Sequence, residues 1–188
     1  QCRTQGYAVV TALRRRTPKT GRIPVNLMTV RSSCAACSRR HSHAMPDVVC
    51  ATLYLWNVER SLSLLGKLKR LRRVLKVAVG GPEVAADHPF LFKSGIPDVA
   101  VTGEGEPVIV PILEALRLGR RPVLPSTAWK RGERYVWGRR RSVAANLADI
   151  LPPAAHESNR PVSGGIGYLE TGRGCPLMCA FCCYNQRR

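Results

Sequence analysis

Apolar residues occur along the chain in short runs that alternate with stretches of mixed polarity, as in α/β proteins. The run that begins at Val48, VVCATLYLW, is nearly continuous, which is typical of a strand buried on both faces of a parallel sheet. Residues 58–73 repeat apolar positions at helical spacing and leave lysines and arginines for solvent. Further strands are predicted over residues 23–30, 74–81 and 98–102.

The other predicted helices are shorter or less regular than the one over residues 58–73. A short helix is predicted over residues 5–16, with apolar side chains facing inward, and a helical stretch around residues 88–93. The last predicted helix ends at Gly119, has Pro107 in its first turn, and contains Pro111, which favours a late start. Because strands and helices alternate, the sequence predicts a doubly wound parallel α/β sheet.

The chain changes character after this sheet. Residues 120–165 contain several prolines and are interpreted as a linker, with a small hairpin near residues 134–137. Residues 166–170, IGYLE, are predicted to be the first strand of a new domain. The sequence therefore predicts an α/β domain over residues 1–119, the linker, and the start of a second domain over residues 166–188.

Glycines and polar residues gather at three predicted strand ends, over residues 54–57, 80–83 and 102–106. In parallel sheets, ligands bind beyond the carboxyl ends of the strands, and glycines allow a ligand to approach the backbone closely. These three loops are therefore candidates for one ligand site. The alternative is that their glycines only form tight turns.

The charge and composition restrict the classes of partner. The net charge is +18, but the arginines lie in short scattered runs and aromatic residues make up only 6% of the chain. A nucleic-acid-binding protein usually concentrates its charge on one face, with aromatics between, so nucleic acid is not the expected partner. Steering of an anionic substrate still fits. No apolar run of 18 residues and no secretory signal occur, so we expect no membrane span and a cytoplasmic protein.

Four of the eight cysteines lie within nine residues near the C-terminus. They are too crowded to form disulfides with one another, which favours a reduced protein that ligates metal. Cys175, Cys179 and Cys182 have the spacing Cys-x3-Cys-x2-Cys, and three thiolates can hold three irons of a cubane cluster while the fourth iron stays open. A structural zinc site needs four ligands, and Cys183 is poorly placed beside Cys182.

A second group of metal-ligand residue types is interpreted differently. Cys34, Cys37 and His41, with His43 nearby, would fall on one face of a helix. A buried free cysteine behaves as a small apolar residue, so we interpret this face as the inward face of a helix. A zinc site there remains the alternative.

The stretch "GRGCPLMCAFC" resembles the cluster loop of the radical S-adenosylmethionine (radical SAM) superfamily. The resemblance implies that Cys175, Cys179 and Cys182 hold a 4Fe-4S cluster. It also implies that S-adenosyl-L-methionine binds at the open iron, with the aromatic Phe181 near its adenine.

Three further stretches, "LYLWNVERSL", "GGPEVAADHPFL" and "VTGEGE", resemble the cobalamin-binding domain that precedes the barrel in one class of radical SAM enzymes. This resemblance implies a flavodoxin-like domain whose first strand lies upstream of Gln1, followed by a TIM-type barrel cut after its first strand and cluster loop. The chain is therefore expected to be a fragment. The residues implied to contact cobalamin are Thr52, Tyr54, Trp56, Asn57, Gly80, Gly81, Pro82, Glu83, Gly103 and Glu104.

The function implied by the resemblance is that of a cobalamin-dependent radical SAM enzyme. Such an enzyme reductively cleaves S-adenosyl-L-methionine at its 4Fe-4S cluster to start radical chemistry, with methyl transfer as one candidate reaction. We expect an electron donor such as flavodoxin or ferredoxin as protein partner, and we expect the fragment alone to be inactive. The sequence does not identify the substrate. The alternative is a non-catalytic metal-binding or basic RNA-binding module.

Overall fold

The computed structural model describes residues 8–13 and 25–30 by their backbone, and residues 47–121, 124–139, 177 and 179–181 in full. The chain divides into two compact units, residues 1–144 and 145–188. The helices and strands described all lie in the first unit. They are, in chain order, β1 (Ala8–Leu13), β2 (Val25–Val30), β3 (Val48–Thr52), α1 (Val58–Leu71), β4 (Lys76–Gly80), β5 (Val99–Val101), α2 (Glu106–Arg117), β6 (Thr127–Arg131) and β7 (Arg134–Trp137).

The seven strands of the described residues form one sheet in the order β2-β1-β3-β4-β5-β6-β7. The central strands β3, β4 and β5 are parallel, with Val49 opposite Val77 and Val79 opposite Ala100. β1 pairs antiparallel with both β2 and β3, and the hairpin β6–β7 continues the sheet antiparallel from β5. The parallel centre confirms the α/β class and fits a flavodoxin-like fold. The whole sheet is nevertheless mixed, so the predicted doubly wound parallel sheet is confirmed only for its three central strands.

Two apolar clusters hold the two helices on opposite faces of the sheet. On one face, Leu65 of α1 packs into the cluster that contains Val77. On the other face, Ile112 of α2 packs into the cluster that contains Ala78 and Trp129. Successive residues of β4 thus serve different faces, because side chains alternate along a strand. Each fully buried leucine or isoleucine contributes about 1.5–3 kcal/mol to folding.

The two helices agree with the predicted spacing, but α2 starts earlier than expected. It begins at Glu106, so the predicted late start caused by Pro111 is wrong. Pro107 is the second helical residue, where a backbone N–H has no helical partner in any case. Pro111 removes a single helical hydrogen bond on an exposed side of the helix, which the packed opposite side tolerates. In the described part of the chain, neither helix is long and apolar enough to cross a membrane.

The predicted helix over residues 5–16 is wrong, because Ala8–Leu13 is a strand. A short apolar run cannot be assigned by its period alone, and here the backbone gains hydrogen-bond partners from strands on both of its sides. β1 pairs antiparallel with β3, on the side of β3 opposite to β4.

The helical stretch predicted around residues 88–93 is also wrong, since the chain there forms consecutive turns. The imidazole Nδ1 of His88 accepts the backbone N–H of Leu91 at 3.1 Å and that of Phe90 at 3.3 Å. A single helix-type bond, from the Ser94 N–H to the Phe90 carbonyl at 2.9 Å, is not continued before Pro97.

The hairpin predicted near residues 134–137 exists, and its first strand, β6, pairs with β5. The side chain of Trp129 on β6 is part of the core. The sheet therefore extends into the stretch interpreted as a linker. The end of that stretch and the strand predicted over residues 166–170 lie outside the described residues.

Candidate cofactor site

The carboxyl ends of β3, β4 and β5 lie at one edge of the sheet because these strands are parallel. The loops after β3 and β4 are joined directly: the Leu53 N–H donates to the Gly80 carbonyl at 2.7 Å, and the Glu83 N–H donates to the Leu53 carbonyl at 3.2 Å. The structure therefore brings together at this edge the three strand ends that the sequence selected, with Thr52, Tyr54, Trp56, Asn57, Gly80, Gly81, Pro82, Glu83, Gly103 and Glu104.

Asn57 organises the loop between β3 and α1. Its side chain is buried, with 4% of the residue exposed. Its carboxamide oxygen accepts the Tyr54 N–H at 2.8 Å, and its amide nitrogen donates to the Thr52 carbonyl at 3.2 Å. Both hydrogen bonds join Asn57 to backbone atoms at the end of β3 and in the loop, so the buried side chain fixes the conformation of the loop. Its position favours a supporting role over direct contact with a ligand.

The same loop presents an apolar surface to solvent. The rings of Tyr54 and Trp56 stack with their centroids 4.6 Å apart and their planes 9° apart. Trp56 is 72% exposed, and Leu55 between the two aromatics is 79% exposed. Large apolar side chains held in fixed positions yet open to water are typical of a surface that a partner or a ligand covers. Leu55 was not singled out from the sequence, since an apolar residue in an apolar run gives no signal of exposure.

Gly81 is required by the packing of the loops. Its φ of +106° is one that side-chain-bearing residues rarely adopt, and a Cβ atom there would lie 2.5 Å from the Leu53 carbonyl oxygen and 2.8 Å from the Leu53 nitrogen. The close contact is with the neighbouring protein backbone. Glycine at this position is therefore explained by the protein itself, whatever ligand approaches the edge.

The loop after β5 is open instead. Gly103 has φ +88°, and a Cβ atom at Gly103 or at Gly105 would meet no heavy atom within 4 Å. Gly105 adopts an ordinary right-handed conformation at the start of α2, so nothing in the protein itself requires glycine there. Bare backbone beside open space, at the same edge of the sheet as Tyr54 and Trp56, can accommodate a flat and partly apolar cofactor.

Glu83 and His88 lie close together in the loop after β4. The His88 Nε2 lies 3.8 Å from a Glu83 carboxylate oxygen, while its Nδ1 accepts backbone N–H groups. The Nδ1 atom of the imidazole is therefore occupied in shaping the loop. The pairing itself had no signal in the sequence, because loop residues five apart meet only when the loop folds back.

The cysteine loop is described only in part. Cys179 is exposed, and Phe181 is 93% exposed. Cys175 and Cys182, like the group at residues 34–43, lie outside the described residues. Within the described residues no three His, Cys, Asp or Glu side chains come together as a metal site. The predicted iron–sulfur ligands remain a prediction.

Comparison with known proteins identifies a cofactor-binding family over the same residues that form the candidate site. Residues 22–113 match the family described as B12 binding domain, and this range includes all three loops of the candidate site. The chain is 31% identical over 150 residues to the cobalamin-dependent radical SAM methyltransferase TokK of Streptomyces tokunonensis. It is equally similar to the 2-(S-pantetheinyl)-carbapenam-3-carboxylate methyltransferase of Streptantibioticus cattleyicolor. Each match covers 73% of this chain and 22% of the relative's length.

Proposed function

We propose that the edge formed by the ends of β3, β4 and β5 binds cobalamin. Residues 22–113 match the B12 binding domain, and the chain is similar to a cobalamin-dependent radical SAM methyltransferase and to a second methyltransferase, which confirms the resemblance seen in the sequence. The observation that carries the proposal is the coincidence of two independent features. The residues matched as a B12 binding domain include the loops that leave backbone and aromatic surface open at one edge. An α/β sheet binds its ligands at such an edge.

The proposed contacts differ in kind. The stacked Tyr54 and Trp56 offer apolar surface to the corrin, and the open backbone at Gly103 and Gly105 allows close approach. Asn57 and Gly81 hold the loops in position and act through their neighbours. The remaining predicted contacts at this edge are Thr52, Gly80, Pro82, Glu83 and Glu104.

We further propose that Cys175, Cys179 and Cys182 hold a 4Fe-4S cluster, with Phe181 beside bound S-adenosyl-L-methionine at the start of a radical SAM barrel. The proposal rests on the cysteine spacing and on the names of the relatives. Reductive cleavage of S-adenosyl-L-methionine at such a cluster starts radical chemistry, and because both relatives are methyltransferases, methyl transfer is the reaction we propose. An electron donor such as flavodoxin or ferredoxin and a cytoplasmic location complete the proposal.

Cobalamin binding is tested by titration of the purified protein followed by absorbance. We expect Trp56→Ala to weaken binding by removing apolar contact area, and Gly105→Leu to weaken it by filling the open space. Ser63→Leu adds the same side chain to an exposed position of α1 and serves as the matched control. Circular dichroism checks that each variant folds. Wild-type affinity in both Trp56→Ala and Gly105→Leu would move cobalamin away from this edge.

The cluster is tested separately by anaerobic reconstitution. We expect alanine at Cys175, Cys179 or Cys182 to abolish iron binding, because an open-iron cluster has no protein ligand to spare. Cys183→Ala is the control and should retain iron and the broad absorption of the cluster. Loss of iron from Cys183→Ala together with retention in Cys175→Ala would refute the assignment. Stoichiometric zinc, or RNA binding without iron, would favour the non-catalytic alternative.

A further inference from the structure

The edge of the sheet where β4 and β5 begin, opposite the candidate cofactor site, is rich in cationic side chains. Both helices run away from the cofactor edge, so their last turns and the residues that follow lie where β4 and β5 begin. Cationic residues from two distant parts of the chain meet there. Arg120 and Arg121 follow α2, and Lys76 opens β4. The topology thus concentrates charge that the sequence shows only as short runs.

A solvent-open cavity lies at this edge, with an empty volume of about 300 Å³. This volume includes space open to solvent, so the site suits a small ion better than a drug-sized ligand. Three cationic side chains line it, together with a single carboxylate, that of Asp98. The full lining is Lys76, Asp98, Leu116, Gly119, Arg120, Arg121 and Trp129.

The carboxylate of Asp98 is already neutralised. One of its oxygens accepts the Lys69 ammonium at 2.7 Å and the Val77 N–H at 2.8 Å. The other lies 3.7 Å from the Lys76 ammonium. Because Lys69 balances Asp98 without lining the cavity, the lining retains an excess of positive charge, to which both arginines contribute. In the described part of the chain neither of these guanidinium groups has an ion-pair partner.

Trp129 provides the second, independent observation. It is 1% exposed, and its indole N–H has no hydrogen-bond partner in the described part of the chain. A buried donor without a partner costs about 1–3 kcal/mol, so an acceptor that reaches it is strongly favoured. Trp129 is among the residues that line the cavity, so we take the cavity as the space from which an acceptor reaches the indole.

We propose that this cavity binds a phosphate dianion, either free or as a small phosphate monoester. Two guanidinium groups and one ammonium group supply enough positive charge to balance a dianion, and an arginine fork bonds two phosphate oxygens at once. The indole N–H supplies a further donor to an oxygen that enters deeper. The site is separate from the cofactor edge and does not depend on the function proposed above.

The test is calorimetric titration of the purified protein with inorganic phosphate, in chloride buffer of constant ionic strength. Trp129→Phe removes the indole N–H, and we expect it to weaken phosphate binding about tenfold. Arg120→Gln and Arg121→Gln change exposed residues, so they should fold normally, and each should weaken binding at least tenfold. Arg139→Gln removes an exposed charge after β7, at the other edge of the sheet, and should leave binding unchanged.

Two outcomes would overturn the proposal. Unchanged phosphate affinity in Trp129→Phe would mean that a water molecule, and not phosphate, satisfies the indole. A loss of affinity in Arg139→Gln equal to that in Arg120→Gln would mean that phosphate responds only to overall charge. Adenosine monophosphate distinguishes the two sources, since a bound monoester should compete with free phosphate. Competition by a short RNA, whose phosphodiesters are monoanions, at lower concentration than phosphate would replace the proposal by a nucleic-acid surface. Displacement of phosphate by cobalamin would show that the cavity is not separate from the cofactor site.

Discussion

Replacing Gly81 by alanine should destabilise the fold even without cofactor. Backbone strain and a steric clash both lower the free energy of unfolding. The φ of +106° strains any residue that has a Cβ atom, at a cost of about 1–3 kcal/mol. The Cβ atom would also lie 2.5 Å from the Leu53 carbonyl oxygen, which must therefore move.

Movement of Leu53 weakens two hydrogen bonds that join the loops, from its own N–H to the Gly80 carbonyl and from the Glu83 N–H to its carbonyl. Each is worth about 1 kcal/mol. The expected loss is therefore roughly 3–5 kcal/mol, a large part of the 5–15 kcal/mol that stabilises most domains.

Urea unfolding followed by circular dichroism measures this loss. With a slope of about 2 kcal/mol per molar urea, the midpoint should fall by roughly 1.5–2.5 M. Gly105→Ala is the matched control, because Gly105 has φ −89° and open space around its Cβ position. It should lose no more than about 1 kcal/mol. A midpoint for Gly81→Ala within 0.5 M of wild type, or a loss of the same size in Gly105→Ala, would refute the assignment of Gly81 to loop packing; the 0.5 M threshold corresponds to about 1 kcal/mol.

Two further predictions concern titratable groups. Burial raises the pKa of the Cys50 thiol from 9.0 to about 11. Between pH 9 and 11 the folded state therefore keeps a proton that the unfolded state releases. The free energy of unfolding should be unaffected below pH 9 and should fall by up to about 3 kcal/mol as the pH rises to 11. Cys50→Ala should remove this part of the pH dependence. At pH 8, alkylation should modify the exposed Cys179 well before Cys50, and equal rates would contradict the assigned burial. Asp98→Asn should destabilise by about 1–3 kcal/mol, because it removes the charge that pairs with Lys69 at 2.7 Å; a urea midpoint equal to that of wild type would show the pair to be energetically neutral.

Much of the site could be predicted because local sequence determines it. The apolar run at Val48, the helical spacing over residues 58–73 and the paired Gly80 and Gly81 each fix one element or turn. Once parallel pairing of β3, β4 and β5 is assumed, the loops after them must share an edge. The predicted strand ends therefore lie together in the structure, although no single residue indicated which neighbours it would meet.

The errors share one physical cause, which is that short segments take the conformation their neighbours impose. Ala8–Leu13 becomes a strand because β2 and β3 supply hydrogen-bond partners on both sides. Residues 88–93 remain turns because the His88 side chain bonds the backbone N–H groups of Phe90 and Leu91. Neither interaction produces a periodic pattern in the sequence. The helix propensity of six residues is too weak to oppose either of them.

Patterns among neighbouring residues predict the cysteine loop, the glycine-bearing strand ends and the alternation of apolar runs, because each of these is local. Features that depend on residues far apart in the chain became visible only in the fold. It showed that Gly81 is needed for packing, because the Leu53 backbone lies against it, and that Gly105 is open, because no heavy atom lies within 4 Å of its Cβ position. It also gathered Lys76, Arg120 and Trp129 around one cavity, since only folding brings the start of β4, the end of α2 and β6 to the same edge.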